Sequence, residues 1–289
     1  MSPSSPTTVI QKATVGMRRS ALRRQLQSVV SDKSTTLSLD LDQPGLDVGA
    51  VIEEITRGLT ADSLAVQRLV VALRKSGAAD VVVQRLAAKN PHQRVRSARV
   101  VGALRLYEAV PWVAELLASR DRGVSDAAAR ALGKTGGRNS ASALVLAIQR
   151  RGLNRRLVAE LARAAPDLYL EIALGEPQRP AVRPALAMAA GLRRRRTAIS
   201  PLISLLEHGS RRERVISCRA LGWIGAGSAV PVIKAALLDR DWKTRMSAAK
   251  ALGALRAHSA RDELKYLQID RNRRVRKAAE QALNRLKAK

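Results

Sequence analysis

A short phrase returns along this chain of 289 residues at a nearly fixed interval. Each copy ends in an apolar residue followed by a small one, and successive copies lie 29 or 31 residues apart. The seven copies are Val101-Gly102, Leu132-Gly133, Leu161-Ala162, Ala190-Gly191, Leu221-Gly222, Leu252-Gly253 and Leu283-Asn284. A period of about 30 residues with helical patterning indicates stacked repeats, because one such unit cannot bury its apolar face alone.

Each unit consists of an apolar first helix, a polar turn, a second helix and a glycine-bearing turn. Prolines fall early in three first helices, where a missing N–H costs little, at Pro111, Pro201 and Pro231. The phrase glycines close the second helices, which suits either a left-handed closing residue or close packing. The pattern predicts an all-α fold, a right-handed α-solenoid of about seven to eight stacked antiparallel helix pairs.

The repeats occupy residues 48–289, and residues 1–47 are predicted to be a basic amino-terminal segment and linker, partly disordered. Residues 9–30 have the pattern of a basic helix, whereas residues 31–47 are rich in Ser, Thr, Asp and Pro. A degenerate unit formed by residues 70–73 and 78–86 is expected to cap the amino-terminal end, since terminal repeats must cover an exposed core face.

The charge balance is extreme: 52 Lys and Arg face 24 Asp and Glu, a net charge of +28. Such a chain attracts polyanions. A hydrophobic content of 46% is normal for a globular protein, so a core can form. The single cysteine, Cys218, excludes an internal disulfide framework and fits a reducing compartment. No apolar stretch reaches membrane-spanning length and the polar start is unlike a signal peptide, so we expect a cytoplasmic protein.

The best-formed unit, residues 239–253, contains Asp-x-Asp followed by Arg245 and by an Ala-rich run that ends in Leu252-Gly253. The last unit repeats its second half from Val275-Arg276 onward. These residues resemble the HEAT repeats, in the short bacterial form also found in HEAT-like phycobilin lyases. The resemblance covers most of residues 60–289 and implies an armadillo-like scaffold built for protein binding.

An arginine stands seven residues before the leucine of the phrase in five units: Arg94, Arg183, Arg214, Arg245 and Arg276. In the family this arginine pairs with an acid near the turn, which implies Asp239 or Asp241 for the fourth arginine and Asp270 for the fifth. These acids stand four or six residues before their arginine, and Arg94, Arg183 and Arg214 have no acid at either position. They are therefore predicted to lack the usual neutralising partner.

Basic residues are predicted to be rare in the first helices of the repeats and frequent in the second helices and their flanking turns. The first helices, predicted at residues 108–118, 139–149, 166–175, 197–208 and 228–238, contain one cation, Lys234. Second helices line the concave side of a HEAT-type solenoid, so their cations are predicted to form a basic groove; a compositional bias with scattered charge is the alternative. The candidate anion-binding residues are Arg94, Arg183, Arg193, Arg194, Arg195, Arg196, Arg211, Arg212, Arg214, Arg245, Arg274 and Arg276.

The predicted partner is an anionic macromolecule, either an acidic protein or a DNA or RNA backbone, whose phosphates such a groove would contact. Residues 9–30 are a further candidate for peripheral contact with an anionic membrane. Sequence-specific nucleic-acid recognition has little support, because no recognition helix, zinc finger or aromatic RNA-binding motif is present.

No catalytic residue, metal site or cofactor is predicted. The HEAT-repeat hydroxylases use repeated His-Glu pairs for iron, and this chain has only the reversed Glu207-His208. One enzymatic alternative is a HEAT-like alkylpurine DNA glycosylase, with Trp223, Asp241 and Trp242 near the lesion; another is a phycobilin-lyase-like protein. The favoured interpretation is a non-enzymatic scaffold that binds its partner through the arginine-rich concave face.

Overall fold

The computed structural model of the protein describes residues 6–41, 43–60 and 63–287, with side chains from residue 13 onward. Over these residues it is all α-helical, which confirms the predicted fold class. Its helices are α1 Pro6–Val30, α2 Val48–Ile55, α3 Leu64–Lys75, α4 Ala78–Leu86, α5 Pro91–Leu104, α6 Val110–Leu116, α7 Arg122–Thr135, α8 Gly137–Arg151, α9 Arg155–Ala164, α10 Asp167–Gly175, α11 Val182–Leu192, α12 Ile199–His208, α13 Arg211–Ile224, α14 Val230–Ala235, α15 Trp242–Ala254, α16 Arg261–Tyr266 and α17 Arg273–Lys287.

The chain divides into two compact units, residues 1–140 and 141–289. In the first unit, α4 packs on α5 and α6 on α7. In the second unit, α10 packs on α11, α12 on α13, α14 on α15 and α16 on α17. In each of these pairs, the odd-numbered helix is the second helix of its repeat. Consecutive second helices α5 and α7, α9 and α11, α11 and α13, α13 and α15, and α15 and α17 also pack on each other.

The sequence suggested that residues 78–86 belong to an additional degenerate unit, but the structure shows that they do not. They form α4, which is the first helix of the pair completed by α5. The absence of a phrase glycine in this stretch follows, because α4 is a first helix and the glycine belongs to second helices.

Local sequence signals set where the second helices begin. Asp121 caps α7 by accepting a hydrogen bond from the Val124 N–H, and Asn90 caps α5 in the same way. Helix α13 begins with a capping box, in which Ser210 and Glu213 each accept a hydrogen bond from the other's backbone N–H. Polar caps of this kind satisfy N–H groups that the first turn of a helix leaves unpaired.

The phrase glycines are sites of close contact between consecutive second helices. A Cβ atom built on Gly102 would stand 2.8 Å from the Ala131 Cα, well inside any real contact. The same pairing recurs between Gly253 and Ala282, at 2.7 Å. It is also present at Gly191 with Ala220 and at Gly222 with Ala251. Only glycine lets the backbones approach this closely, so close packing explains its place in the phrase.

The left-handed closing residue stands three positions beyond the phrase glycine. It is itself a glycine at Gly136 and Gly225, with φ of +73° and +81°. In three other units it is an arginine, Arg105, Arg194 or Arg256, with φ of +49° to +52°. A residue with a Cβ atom pays about 1 to 2 kcal/mol for this conformation, which a positive side chain near a helix carboxyl end partly offsets.

The amino-terminal helix α1 packs against α2 and α3. Its buried stripe consists of Leu22, Leu26 and Val29, spaced for one helical face. Arg19 and Arg23 on its other side pair with Glu54 of α2, at 2.8 and 3.1 Å. Leu22, Leu26 and Val29 are therefore packed within the protein, whereas Met17 of α1 is exposed. Residues 9–12 of the proposed membrane-contacting stretch lie outside the described side chains.

Residues 37–47, predicted as part of a linker, contribute to the core of the first unit. Leu37, Leu41 and Leu46 are each 2 to 3% exposed. Arg96 of α5 donates a hydrogen bond to the carbonyl oxygen of Leu41. The polar composition of this stretch favoured a linker. The signal for burial was the spacing of these three leucines, which are four and five residues apart.

Substituting Gly253 by alanine tests the role of the phrase glycine. The added Cβ would meet Ala282 backbone, so we expect the free energy of unfolding to fall by about 1 to 3 kcal/mol, measured by urea unfolding. Gly16→Ala in α1 is the matched control, because a Cβ there meets nothing within 4 Å. It should stabilise the protein by up to about 1 kcal/mol through helix propensity. Stabilisation by both substitutions would contradict the close-contact role.

Candidate functional site

Two arginines of the second helices are held in bidentate ion pairs that join one repeat to the next. Arg214 of α13 donates from Nε and Nη2 to the carboxylate of Asp239, at 2.7 and 3.2 Å. Arg245 of α15 donates in the same way to Asp270, at 2.7 and 3.1 Å. Each acid stands 25 residues beyond its arginine, just before the next second helix. These pairs tie consecutive repeats together.

The other arginines of this ladder have different partners. Arg183 of α11 pairs with Glu213 at 3.4 Å. Arg276 of α17 donates to the backbone carbonyl of Asp270 at 2.8 Å. Arg94 of α5 is half-buried, and its Nε atom has no hydrogen-bond partner.

As predicted, Arg183 and Arg214 have no acid at the local positions of their own units, but each pairs with an acid of the following unit. That expectation considered only acids that precede each arginine in its own unit, whereas the carboxylate comes from the following unit. Arg245 does contact Asp239, but it donates to the backbone carbonyl at 2.8 Å and takes its carboxylate from the next repeat. At Arg183, Arg214 and Arg245 the ladder is therefore an arrangement between repeats, and these three guanidinium groups already have carboxylate partners.

The ladder carboxylates are perturbed by their partners. Hydrogen bonds from Arg245 hold the pKa of Asp270 below its ordinary value, against the opposing effect of burial. At Asp239, burial would raise the pKa, but the hydrogen bond from Arg214 and the Asp241 N–H outweigh it and the pKa is lowered. Both acids are thus held in the charged form that the arginines require.

The segregation of charge between helix classes is less complete than the predicted helix bounds suggested. Helix α8 is longer than expected and carries Arg138, Arg150 and Arg151. Helix α16, also a first helix, carries Arg261 and Lys265. Several basic residues therefore lie on first helices, and the distinctive feature of the second helices is how their cations are grouped.

In the second unit, the exposed face of the second helices contains two adjoining cavities of about 1080 and 990 Å³. Their shared wall includes Arg155, Arg219 and Trp223. We call the two cavities together the second-helix groove. The basic residues that line it are Arg155, Arg211, Arg212, Arg219, Lys243, Lys250, Arg274 and Arg285, and no Asp or Glu is among the lining residues.

Seven of these cations have no ion pair with an acid among the described residues: Arg155, Arg212, Arg219, Lys243, Lys250, Arg274 and Arg285. Burial, and second the positive charge of Arg155, lower the pKa of the Arg219 guanidinium, which stays charged near neutral pH. Like charges that face each other without counter-charge attract an external anion. These groove cations therefore have no counter-charge from the described part of the chain.

Two tryptophans lie beside these cations. The Arg219 guanidinium is 5.1 Å from the centre of the Trp223 ring. Trp242 has two cations over its ring, Lys243 at 5.6 Å and Arg274 at 5.5 Å. Such contacts orient the cations and leave their outer N–H groups available to an anion. The groove thus combines fixed positive charge with aromatic and aliphatic surface.

The three residues proposed for the glycosylase alternative do not line one common site. Trp223 and Trp242 line the groove, but Asp241 does not. Its carboxylate caps α15 by accepting hydrogen bonds from Thr244 and pairs with Arg211 at 2.9 Å, and the side chain is 9% exposed. The carboxylate therefore acts as a helix cap, which is the usual role of an aspartate at the start of a helix.

Of the twelve arginines proposed from sequence, Arg211, Arg212 and Arg274 line the second-helix groove. The four-arginine run at residues 193–196 does not, and within it Arg195 pairs with Asp167. Arg183 and Arg214 line separate cavities beside the first helices. Binding by these other arginines stays a prediction.

Sequence reasoning did not select the central cations of the groove. Arg219 and Lys250 each stand three residues before a phrase glycine, at Gly222 and Gly253. That shared position was the available signal, because residues at one position of consecutive repeats stack above one another.

The remaining reactive and apolar features are structural. Burial raises the pKa of the Cys218 thiol to about 12, so it stays protonated and packs as a small apolar group. Among the described residues, no group of three or more His, Cys, Asp or Glu side chains is placed to hold a metal ion. In that same part of the chain, no helix has the length and apolar character needed to cross a membrane.

Stacked helix pairs with an inter-repeat arginine ladder define an α-solenoid repeat protein. The chain matches the family model for HEAT repeats over residues 79–164 and 199–284, more than half of its length. It belongs to the HEAT-repeat family, as the resemblance of its phrase predicted.

Solved structures with similar folds include human deoxyhypusine hydroxylase, determined in complex with glycerol. That similarity has 19% identity, covers 96% of this chain and 99% of that one, and has a TM-score of 0.38. Two engineered proteins are also similar. One has 20% identity, 73% and 96% coverage and a TM-score of 0.32; the other has 18%, 91%, 78% and 0.38. Comparison with curated proteins gives no match.

Removing one ladder carboxylate should weaken the protein in a pH-dependent way. Arg245 and Asp270 are 17% and 7% exposed, so Asp270→Asn should lower the free energy of unfolding at pH 7 by about 3 kcal/mol. The folded-state pKa is depressed, so this contribution is present above about pH 4 and is lost as pH falls through the lower folded value. The measurement is urea unfolding as a function of pH.

Glu115→Gln is the matched control for this experiment, because it removes the same charge from an exposed position on α6. Its effect on the free energy of unfolding should stay within about 0.5 kcal/mol. A constant destabilisation by Asp270→Asn from pH 7 to pH 2 would show that the ion pair is not its cause.

Proposed function

We propose that this protein is a non-enzymatic HEAT-repeat scaffold that binds an anionic macromolecule, an acidic protein or a nucleic-acid backbone, through the second-helix groove. The observation that carries the proposal is the group of seven cations that share one groove without an acid partner among the described residues. A reducing, cytoplasmic setting is part of the proposal and rests on the use of a single cysteine, Cys218.

The size of the groove supports a macromolecular ligand. Taken together, its two adjoining cavities of about 1080 and 990 Å³ exceed the common range of roughly 300 to 1,000 Å³ for small-molecule pockets. The cations come from four second helices, α9, α13, α15 and α17, so a ligand that contacts all of them must extend across several repeats.

The electrostatics of the rest of the unit support the same location. Three ladder arginines, Arg183, Arg214 and Arg245, are neutralised by Glu213, Asp239 and Asp270. The unpaired groove cations have no such counter-charge, and low-dielectric walls increase their effect on an anion.

Charge reversal in the groove tests the proposal directly. Arg219→Glu combined with Lys250→Glu should weaken binding of fluorescein-labelled poly-glutamate and of a labelled duplex DNA by about tenfold or more, or about 1.4 kcal/mol. Fluorescence anisotropy at low salt measures the affinity. Wild-type affinity should also fall steeply between about 50 mM and about 200 mM salt.

The matched control is Arg138→Glu combined with Arg261→Glu, which changes net charge equally at exposed positions on first helices. If the control weakens binding as much as the groove variant, attraction is a property of net charge and the groove is not the site. Absence of binding by the wild-type protein to both polyanions at low salt would reject the proposed function.

A further inference from the structure

The first unit contains a second-helix face on which two cations, Arg99 and Lys134, are neutralised by the chain itself. Residues 37–55, which we call the acidic segment, contain no Lys or Arg although the whole chain has 52. The segment combines carboxylates with leucine, valine and isoleucine. Its five acids are Asp40, Asp42, Asp47, Glu53 and Glu54.

Two carboxylates of the acidic segment pair with cations of the second helices. Asp47, the residue that caps α2, pairs with Arg99 of α5. Glu53 of α2 pairs with Lys134 of α7 at 2.6 Å. Glu53, Arg99 and Lys134 line one small cavity on this face, together with Gly102 and small residues of α7. The segment thus supplies a carboxylate to one cation on each of two consecutive second helices, and Arg130 of α7 lines the same cavity.

The aliphatic residues of the acidic segment fix it in place. Leu46, Val51 and Ile52 are almost fully buried. Gly49 lies so close to α5 that a Cβ atom built on it would be 2.7 Å from the Arg99 Cβ. Recognition of the segment therefore uses carboxylates for the cations and aliphatic contacts for the remaining surface.

The cations that the acidic segment neutralises have counterparts in the second unit. Arg99 stands three residues before the phrase glycine of its unit, and Arg219 and Lys250 occupy the same position in theirs. Lys134 directly follows the second position of its phrase, as Arg285 does in the last unit. All three counterparts line the second-helix groove and have no acid partner among the described residues.

We propose that the second-helix groove binds an acidic, aliphatic-containing segment of a partner protein, in chemistry equivalent to the chain's own acidic segment. The inference rests on the proposed function and specifies its ligand. The partner segment supplies carboxylates to Arg219, Lys250 and Arg285, and it supplies leucine-like side chains to the apolar surface between them.

The composition of the groove favours a protein segment over a nucleic acid. Beside its cations the groove presents Val215, Met246 and, at its other end, Met188 and Leu192. Burial of aliphatic side chains against such residues contributes about 25 cal/mol per Å², which a phosphate backbone does not gain. Cations already lie over the rings of both groove tryptophans, so the rings are not open platforms for stacked bases.

The test uses the full-length protein and a fluorescein-labelled synthetic peptide with the sequence of residues 37–55. Two altered peptides separate the contributions: in one, every Asp and Glu is replaced by its amide; in the other, every leucine is replaced by serine and the acids are kept. The expected result is binding of the native-sequence peptide at least about tenfold tighter than either altered peptide, or about 1.4 kcal/mol.

The variants described above locate the binding. Arg219→Glu with Lys250→Glu should weaken the native-sequence peptide by about tenfold, whereas Arg138→Glu with Arg261→Glu should leave it within a factor of about three. Insensitivity of the peptide to the groove reversal would overturn the inference, because the peptide would then be binding elsewhere.

The other outcomes separate this inference from the proposed function. Equal binding of the leucine-free peptide, or tighter binding of duplex or single-stranded DNA through the same groove, would overturn the acidic-aliphatic partner and leave a polyanion-binding groove. Failure of every peptide, poly-glutamate and DNA probe at low salt would overturn both.

Discussion

The close approach of consecutive second helices is the constraint on which the other features depend. Glycine of one phrase lies against alanine of the next, as Gly222 does against Ala251, so the two backbones come within a distance that no side chain allows. The phrase recurs every 29 or 31 residues, so a residue at a given position of one repeat lies beside the residue at the same position of the next repeat. Cations three residues before the glycine are thereby brought together although they are far apart in sequence. The charge of the groove is a consequence of backbone packing.

The same stacking separates two populations of arginine. Ladder arginines such as Arg245 face the turn of the next repeat, where an aspartate neutralises them and ties the repeats together. Groove cations such as Arg219 face outward beside tryptophan and have no acid within reach. The net charge of +28 is the excess of cations over acids, so ion pairs such as Arg245–Asp270 add nothing to it. The groove holds part of this excess, and the proposed anion site lies there.

The repeat, the helix classes and the family follow from the sequence, because glycine, proline and apolar spacing are local signals. Contacts that reach into the next repeat do not: Asp239 serves Arg214 from 25 residues away, and a search of the preceding turn missed it. Residues 37–47 were predicted to be a linker because polar residues outnumber the leucines there, yet Leu37, Leu41 and Leu46 are buried. Which cations remain unpaired depends on such distant partners, so the groove could be predicted as a basic face but not residue by residue.

Lysine footprinting tests the central claim most directly, since it reports the location of a bound polyanion on the unmodified chain. Acetylation of each lysine is measured by mass spectrometry with and without poly-glutamate. The account predicts selective protection of Lys243 and Lys250, the groove lysines, with no change at Lys75 of α3 or Lys265 of α16, which are exposed outside the groove. Protection of Lys75 and Lys265 with Lys243 and Lys250 still reactive would contradict it.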